Sequence, residues 1–352
     1  MATIKDVAER AGVAPSTVSY VLSGSRKISE DTRRAVQAAI DELGYHPRAS
    51  ARTLRSSRTN VLALAVPRVP GEYRAIDGRF AIDVTDAARG HGYDVLLITE
   101  GDGAGALRRV ARSGLADAAV LMAVEERDPR IEVLHKLGFP AALLGHDDHA
   151  ALPWTDLDWE AAVALAVRET AAAGHRRIVF LSSAEHEIAA RRGYAVRGLD
   201  GARRATAETG AEVHVLSSHR DPARLGRRLR EALGVRPAPT ALVVQDLILL
   251  PHLLDTVSSA GLRVPEDLSV VLVGSLPDEL GIRHLPRIDL PVAEMSTAVT
   301  RLAIDAISAG CDGRPASSQE PTAAPASTAP AAPHHLIQPR MAGPAIAPPP
   351  SG

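Results

Sequence analysis

TIKDVAERAGVAPSTVSYVLSGSRKISEDTRRAVQAAIDELGYHPRASARTL, residues 3–54, is the stretch that decides how the rest of the chain is read. Thr3 suits an N-cap, and Asp6 three positions on makes a capping-box-like pair before a first short helix. Ile4, Val7, Ala8 and Ala11 recur at helical spacing and give that helix one apolar face. Gly12 closes it, where a positive φ is cheap. Val13 is an apolar turn residue, and Pro15 fits the first turn of a second helix because its missing N–H would be unpaired there anyway. Val18, Val21 and Leu22 are expected to face the core, leaving Pro15, Ser16, Thr17, Ser19 and Tyr20 more exposed. A third helix starts after Ser29, carries Val36, Ala39, Ile40 and Leu43 inward, and stops at Gly44. This is helix-turn-helix patterning, in which the N-terminal half of the second helix enters the major groove of DNA. The cap and turn chemistry disfavours the alternative of an ordinary three-helix bundle.

Charge agrees. Residues 1–60 hold ten Lys and Arg against six Asp and Glu, a net of +4, whereas the whole chain of 352 residues carries −2, leaving about −6 for the remainder. A basic headpiece on an acidic larger domain is the expected asymmetry of a DNA-binding regulator. Lys occurs only at positions 5, 27 and 136, so arginine abundance by itself is weak support.

IKDVAERAGVAPSTVSYVLSG followed by ISEDTRRAVQAAIDELGYHPRASARTL resembles the DNA-binding headpiece of the lactose-repressor (LacI/GalR) family. The resemblance implies a recognition helix over residues 15–22, with Pro15, Ser16 and Tyr20 where the family reads bases and Thr17 and Ser19 nearer phosphates. Thr3, at the start of the first helix, counts among the DNA-contacting positions. Many relatives carry Arg where Tyr20 stands. Arg forms a bidentate contact to guanine, whereas a tyrosine offers one hydroxyl and a ring able to pack on a thymine methyl. PRASARTL, residues 47–54, is similar to the family's hinge helix. That likeness implies two hinge helices paired in a dimer, Leu54 wedged into the minor groove to kink the duplex, Ala51 permitting close approach, and Arg48, Arg52, Arg55 and Arg58 near phosphates. Without DNA the same segment reads as an Arg/Ser linker that folds on binding.

From residue 60 to 307, apolar strand-like runs alternate with amphipathic helices. The runs are VLALAV (61–66), DVLLIT (94–99), AAVLMA (118–123), AALLG (141–145), RIVFLS (177–182), EVHVL (212–216), ALVVQ (241–245) and SVVLVG (269–274). Helices are expected at Phe80–His91, Gly105–Ser113, Trp159–Ala173 and Leu247–Ala260. Such alternation argues for an α/β fold with parallel sheets buried on both faces, and the pause near residue 158 argues for two lobes. Ligands in such folds sit beyond the carboxyl ends of the strands and between lobes.

AGHRRIVFLS (173–182), GLRVPEDLSVVLVG (261–274) and LPRIDLPVAEM (285–295) look like further landmarks of the same family. They imply a periplasmic-binding-protein-like effector domain whose lobes are joined by crossovers. Effector positions then fall on Asp158, Arg197 and Asp246. A carboxylate suits paired hydroxyls, and a buried arginine suits a carboxylate or hydroxyl fan. Each also reads as a helix cap or surface charge. The chain departs from the family pattern at GSLPD (274–278), where Leu276 replaces an expected Asp. It departs again at Gly198, which stands at the expected arginine position, and at PRVPGEYRAIDGRF (67–80). These departures argue against a standard hexose pocket.

The expected organisation is a headpiece over 1–46, a hinge over 47–58, a first lobe over 59–157 and 288–310, and a second over 158–287 and 333–343. Segments 311–332 and 344–352 are expected to be disordered, since residues 311–352 include ten prolines among much Ala, Ser and Thr. HHLIQPRM (334–341) resembles the family's final strand of the second lobe. Enzyme motifs are weak: GDGAG (101–105) lacks dinucleotide spacing, His186–Glu187 has Ala190 where a second metal-binding His would be needed, and neither GxSxG nor CxxC occurs. No catalytic residue, metal or cofactor is assigned. The single Cys311 suits a reducing compartment, and no apolar run reaches the roughly twenty residues of a membrane span. The reading is a cytoplasmic, nucleoid-associated transcription regulator, most simply a repressor. It binds a pseudo-palindromic operator as a homodimer (or a tetramer) and answers to a small-molecule effector, a sugar or other metabolite. Alternatives are a ligand-independent regulator with a degenerate pocket, a small-molecule binder with a vestigial headpiece, and an enzyme with a fused headpiece.

Overall fold

The computed structural model describes residues 2–23, 26–45, 58–68, 74–101, 103–275, 284–312 and 332–350. It divides into two units, Met1–Thr59 and Asn60–Gly352. The hinge residues Arg48, Ala51, Arg52 and Leu54 lie outside the described residues.

In the first unit, α1 (Ile4–Arg10), α2 (Pro15–Ser23) and α3 (Glu30–Leu43) enclose a small core of Val7, Ala8, Val18, Val36, Ala39 and Tyr45. Thr3 and Asp6 form the full capping box. Ser29 caps α3, and Gly44 ends it at φ +56. Arg10 on α1 pairs with Glu42 on α3 at 2.7 Å. Two expectations for α2 change. Leu22, assigned to the core, lies in the last turn and is 41% exposed, while Ser19, assigned to the surface, is buried. A helix flanked by two others buries a wide face, and a position one residue round from Val18 still falls within it.

The second unit holds two six-stranded sheets. The first contains β1 (Val61–Ala65), β2 (Asp94–Ile98), β3 (Ala118–Met122), β4 (Ala141–Leu144), β5 (Trp154–Leu157) and, from far along the chain, β11 (His334–Ile337). All its pairings are parallel, in the order β11-β5-β4-β3-β1-β2. The second contains β6 (Arg177–Ala184), β7 (Glu212–Ser218), β8 (Ala241–Val244), β9 (Ser269–Val273), β10 (Arg287–Ile288) and β12 (Met341–Ala342), in the order β12-β10-β9-β8-β6-β7. Only β12 runs antiparallel there. The eight apolar runs are all strands, and β3, β4, β8 and β9 are buried along their whole length, as helices on both faces require.

Helices α4 (Ala75–Gly90), α5 (Gly103–Ser113) and α6 (Pro129–Leu137) belong to the first lobe. In the second are α7 (Trp159–Ala172), α8 (Glu185–Ala189), α9 (Gly193–Thr209), α10 (Pro222–Gly234) and α11 (Leu250–Ser259). α12 (Val292–Asp312) returns from β10 to pack on α4, β3 and β4. The chain therefore crosses between lobes after β5, after β10 and after β11.

The C-terminal segment corrects the sequence reading twice. β11 pairs with β5 in the first sheet, so residues 334–337 belong to the first lobe and only 341–342 to the second. Strand order depends on which edge is open, and the last crossover serves both sheets. Residues 344–350, expected to be disordered, lie against the second lobe. The Ala347 carbonyl accepts from Ser269 Oγ at 3.0 Å and from His175 Nε2 at 2.8 Å, and Ile346 packs on the core. Prolines remove donors but leave every carbonyl available, and here a buried histidine and serine use one of them.

Candidate functional site

Two places carry chemistry: the exposed side of α2, and a cavity between the lobes of the second unit. On α2, Pro15 and Ser16 are exposed, Thr17 and Tyr20 half-buried. Ala14, which precedes the helix, carries only a methyl group and cannot itself cap the first turn with a side-chain oxygen. The Arg26 guanidinium lies 5.7 Å above the Tyr20 ring, a cation–π distance. Thr3 is engaged in the capping box, its backbone N–H donating to Asp6 Oδ2 at 2.7 Å and its hydroxyl to the same oxygen at 2.9 Å. Those bonds hold the Asp6 carboxyl below its ordinary range. Ser19, being buried, has little hydroxyl surface to offer a phosphate.

The cavity, of about 440 Å³, opens at the carboxyl ends of the strands of both sheets. First-lobe walls come from the ends of β3 and β4 and the start of α4; second-lobe walls come from β6, β8, β9 and the starts of α8 and α9. Gly145 after β4 and Gly274 after β9 sit at φ +110 and +129, a backbone that an L side chain rarely adopts, and turn the chain away from the cavity mouth.

Its most buried polar node joins the lobes. Arg74, just before α4, donates to Glu187 on α8 at 2.7 Å and to the Tyr194 hydroxyl at 3.0 Å. Tyr194 donates to the same Glu187 oxygen at 2.5 Å, and Arg192 adds a bond at 3.2 Å. Burial pushes the Glu187 carboxyl up, but Arg74, the Tyr194 hydroxyl and Arg192 outweigh it and hold it below the usual range. Burial likewise opposes charge on Arg74, and Tyr194 and Glu187 more than restore it. The Tyr194 hydroxyl is pushed up to about 12, chiefly by burial, so it stays a donor at neutral pH.

Further contacts stitch the same rim. The Gly193 amide donates to the Val124 carbonyl at 3.0 Å, Glu126 and Arg191 form an ion pair, and Glu125 and Arg192 form a β-bridge. Deeper in the first lobe, Asp156 lies 2.9 Å from His146 Nδ1 and accepts from Trp159 Nε1 at 3.1 Å. Trp154 stacks between His146 and His334 at centroid distances of 4.4 and 4.7 Å, which locks the His146 ring.

Of the three expected effector residues, Asp246 lines the cavity, and burial raises its carboxyl. Asp158 does not: it is the N-cap of α7, accepting from the Ala161 amide at 2.8 Å, and the carboxylate facing the cavity is Asp156. Asp156 lies within β5, whereas Asp158 lies just past its end, where its carboxylate is taken up by the first turn of α7. Arg197 is also outside the lining. Its guanidinium folds back over Gly193 to the His146 carbonyl, with nitrogens at 3.3 and 3.4 Å, and to Asp148 at 3.4 Å, so it joins the lobes rather than facing a ligand. Sequence reasoning missed Arg74, Glu187 and Tyr194. Glu187 sits in the His-Glu pair dismissed as a metal motif, and Arg74 in the segment noted as a departure; a charged residue opening a helix beyond a strand end was the available signal.

The headpiece is matched over residues 3–48 by the model for bacterial regulatory proteins of the lacI family. Residues 81–246 match periplasmic binding proteins and the sugar-binding domain of that family, and 167–328 match a periplasmic binding protein-like domain. The chain belongs to the LacI family. It is a DNA-binding transcriptional regulator of that family. Among curated LacI-family relatives, the HTH-type transcriptional regulator AglR of Rhizobium meliloti (strain 1021) is 29% identical over 276 residues, covering 76% of either chain. The lac repressor dimer bound to operator and the anti-inducer ONPF superposes with a TM-score of 0.78 at 20% identity, covering 97% of each chain. A CelR–cellobiose complex superposes at 0.65 with 23% identity, covering 97% and 98%. These two likenesses speak to fold. Among the described residues, no helix is long and apolar enough to cross a membrane.

Proposed function

We propose that this LacI-family regulator is a repressor, acting in the cytoplasm as a homodimer on a pseudo-palindromic operator, with one recognition helix per half-site. Support comes from the exposed N-terminal half of α2 and from the operator-bound lac repressor dimer, which shares the fold. Pro15, Ser16 and Tyr20 read bases, Thr17 contacts phosphate, and Thr3 acts through the cap that fixes α1. The hinge residues Arg48 and Arg52 lie near phosphates, Ala51 lets the paired hinge helices approach closely, and Leu54 wedges the minor groove. No catalytic step belongs to this reading.

The cavity takes a small-molecule effector. The single observation that carries this is the buried Arg74–Glu187–Tyr194 node, which ties the first lobe to the second at the cavity wall. A ligand there touches both sides of the node, so its binding free energy depends on how the lobes are set. That differential affinity is what a population shift between operator-binding and released states needs. The structural neighbour solved as a CelR–cellobiose complex, which shares the fold, supports a small-molecule ligand.

The test is operator selection from random DNA with the full-length chain, followed by binding titrations at several salt concentrations. A two-fold symmetric motif and steep loss of affinity with salt are expected. An asymmetric motif or a flat salt response overturns the dimeric operator reading.

A further inference from the structure

We propose that residues 123–127 of the first lobe and 190–193 of the second form a strained latch, through which the cavity alters the setting of the lobes; this rests on the effector reading above. Across the junction the Gly193 amide donates to the Val124 carbonyl and the Glu126 amide to the Arg191 carbonyl, each at 3.0 Å. Between these bonds Glu125 and Arg192 face each other as an antiparallel bridge. Arg191 Nε donates to the Glu126 carboxylate at 2.8 Å. Two loops 65 positions apart are thus joined by backbone as well as by charge.

The backbone on both sides of this junction is strained. Among the described residues, four other than glycine have φ in the left-handed range: Asn60 at +55, Ala123 at +48, Arg127 at +58 and Arg191 at +52. Asparagine visits that region readily, whereas alanine and arginine bring a Cβ too close to the following carbonyl oxygen. All three of the unfavourable cases lie in the junction. Elsewhere the chain uses glycine for this conformation: α3, α6 and α9 end on Gly44, Gly138 and Gly210. After α8 the same left-handed turn falls to Arg191.

Strain of this kind persists only where the surroundings over-determine it, and it gathers at switch regions. Buried groups hold the first-lobe side. Asp128 accepts from the Glu125 amide at 3.2 Å, Asp147 accepts from the Arg127 amide at 2.9 Å, and Arg130 donates to the Met122 carbonyl at 2.9 Å. On the other side the Arg191 and Arg192 amides return to the Ile188 and Glu187 carbonyls at 2.9 and 3.1 Å. The interlobe bonds oppose the strain, and parting the lobes exchanges those bonds for its relief. Two opposing contributions give the junction two settings. Ala123, Val124 and Gly193 also line the cavity, so a ligand that touches them acts on the latch directly.

Amide hydrogen exchange read by mass spectrometry on the full-length chain tests the latch without any ligand, with operator affinity measured alongside. Arg127→Asn and Ala123→Gly each relieve strain at one position, and Glu126→Ala removes the ion pair while leaving the backbone. Strain relief should slow exchange over 123–127 and 190–193 by roughly threefold, and Glu126→Ala should speed it. Exchange in β8 should stay as it is in all three, since the opening is local. Operator affinity should move one way on strain relief and the other way for Glu126→Ala. The two strain-relieving positions are separate, so a folding failure in one variant leaves the other informative. Strain-relieved chains that exchange no slower than the natural one, or a change shared equally by β8, overturn the latch and leave the effector reading intact. Slowed exchange with operator affinity unmoved upholds the latch and overturns the coupling of lobe setting to operator binding.

Discussion

Arg74 and Glu187 pair at 2.7 Å across the cleft, and the carboxylate is 3% exposed, so each lobe neutralises a charge that the other has buried. Breaking a buried pair by removing one partner leaves the other desolvated and uncompensated, which is worse than removing both. Glu187→Ala should therefore cost about 3 kcal/mol of unfolding free energy in denaturant titrations. The double variant Arg74→Met with Glu187→Ala should recover part of that. If the double variant loses the sum of the two single losses, the two side chains are not coupled.

The α7–α9 contact has no room for a methyl group at Gly201. A Cβ there would sit 2.2 Å from the Glu160 carbonyl oxygen and 3.1 Å from the Ala164 amide nitrogen, and backbone atoms do not swing aside as a side chain would. Gly201→Ala should destabilise the protein by about 3 kcal/mol, the upper end of ordinary overpacking. Gly210→Ala makes the informative contrast, since nothing lies within 4 Å of its Cβ and its cost comes only from φ +65. Chemical denaturation that ranks Gly210→Ala as the worse change would show that α7 and α9 can slide apart.

His175 is fully buried, with Nδ1 2.8 Å from Thr240 Oγ1 and Nε2 2.8 Å from the Ala347 carbonyl. A carbonyl only accepts, so Nε2 carries the proton and the neutral ring takes the threonine hydroxyl at Nδ1. Burial lowers its pKa below the ordinary 6.5, the Ala347 bond opposing in part. Between the folded and unfolded values the unfolded chain binds more protons, so stability from this site is complete above about pH 6.5 and falls as pH drops below it. The melting midpoint should decline from pH 7 to pH 5.5 more steeply in the natural chain than in His175→Gln. Parallel declines would assign the acid sensitivity elsewhere.

How legible each feature was follows how far apart in sequence its parts lie. The Thr3–Asp6 box, the Ser29 cap and the Gly44 stop involve residues within a few positions, and their chemistry is written in side chains that do little else. The eight apolar runs became strands because helices cover both faces of each sheet. Arg74 and Glu187 are 113 positions apart, and nothing local distinguishes either from a surface charge. Asp158 shows the opposite failure: a carboxylate between a strand and a helix reads equally as ligand or cap, and here it caps α7 while Asp156, inside β5, lines the cavity. Packing of 344–350 was illegible because proline composition reports donor loss and says nothing of which carbonyls a buried histidine will seek.

Tyr20 holds the position where many relatives carry Arg, and its ring lies under the Arg26 guanidinium at 5.7 Å. A phenol makes one hydrogen bond and packs its ring edge on a thymine methyl, whereas an arginine makes two parallel bonds to guanine. Tyr20→Ala should therefore relax preference at one position of each half-site, costing about 1–3 kcal/mol on the preferred sequence, with little change in non-specific affinity. Tyr20→Arg should move that position toward guanine. Removing Arg26 instead, which carries a charge rather than a base contact, should weaken all sequences alike and lower the salt slope by about one. Selection from random DNA on all three variants separates the roles. An unchanged motif for Tyr20→Ala assigns base reading to Pro15 and Ser16 alone, and a sequence-selective loss for Arg26→Ala moves specificity onto the residue that covers the ring.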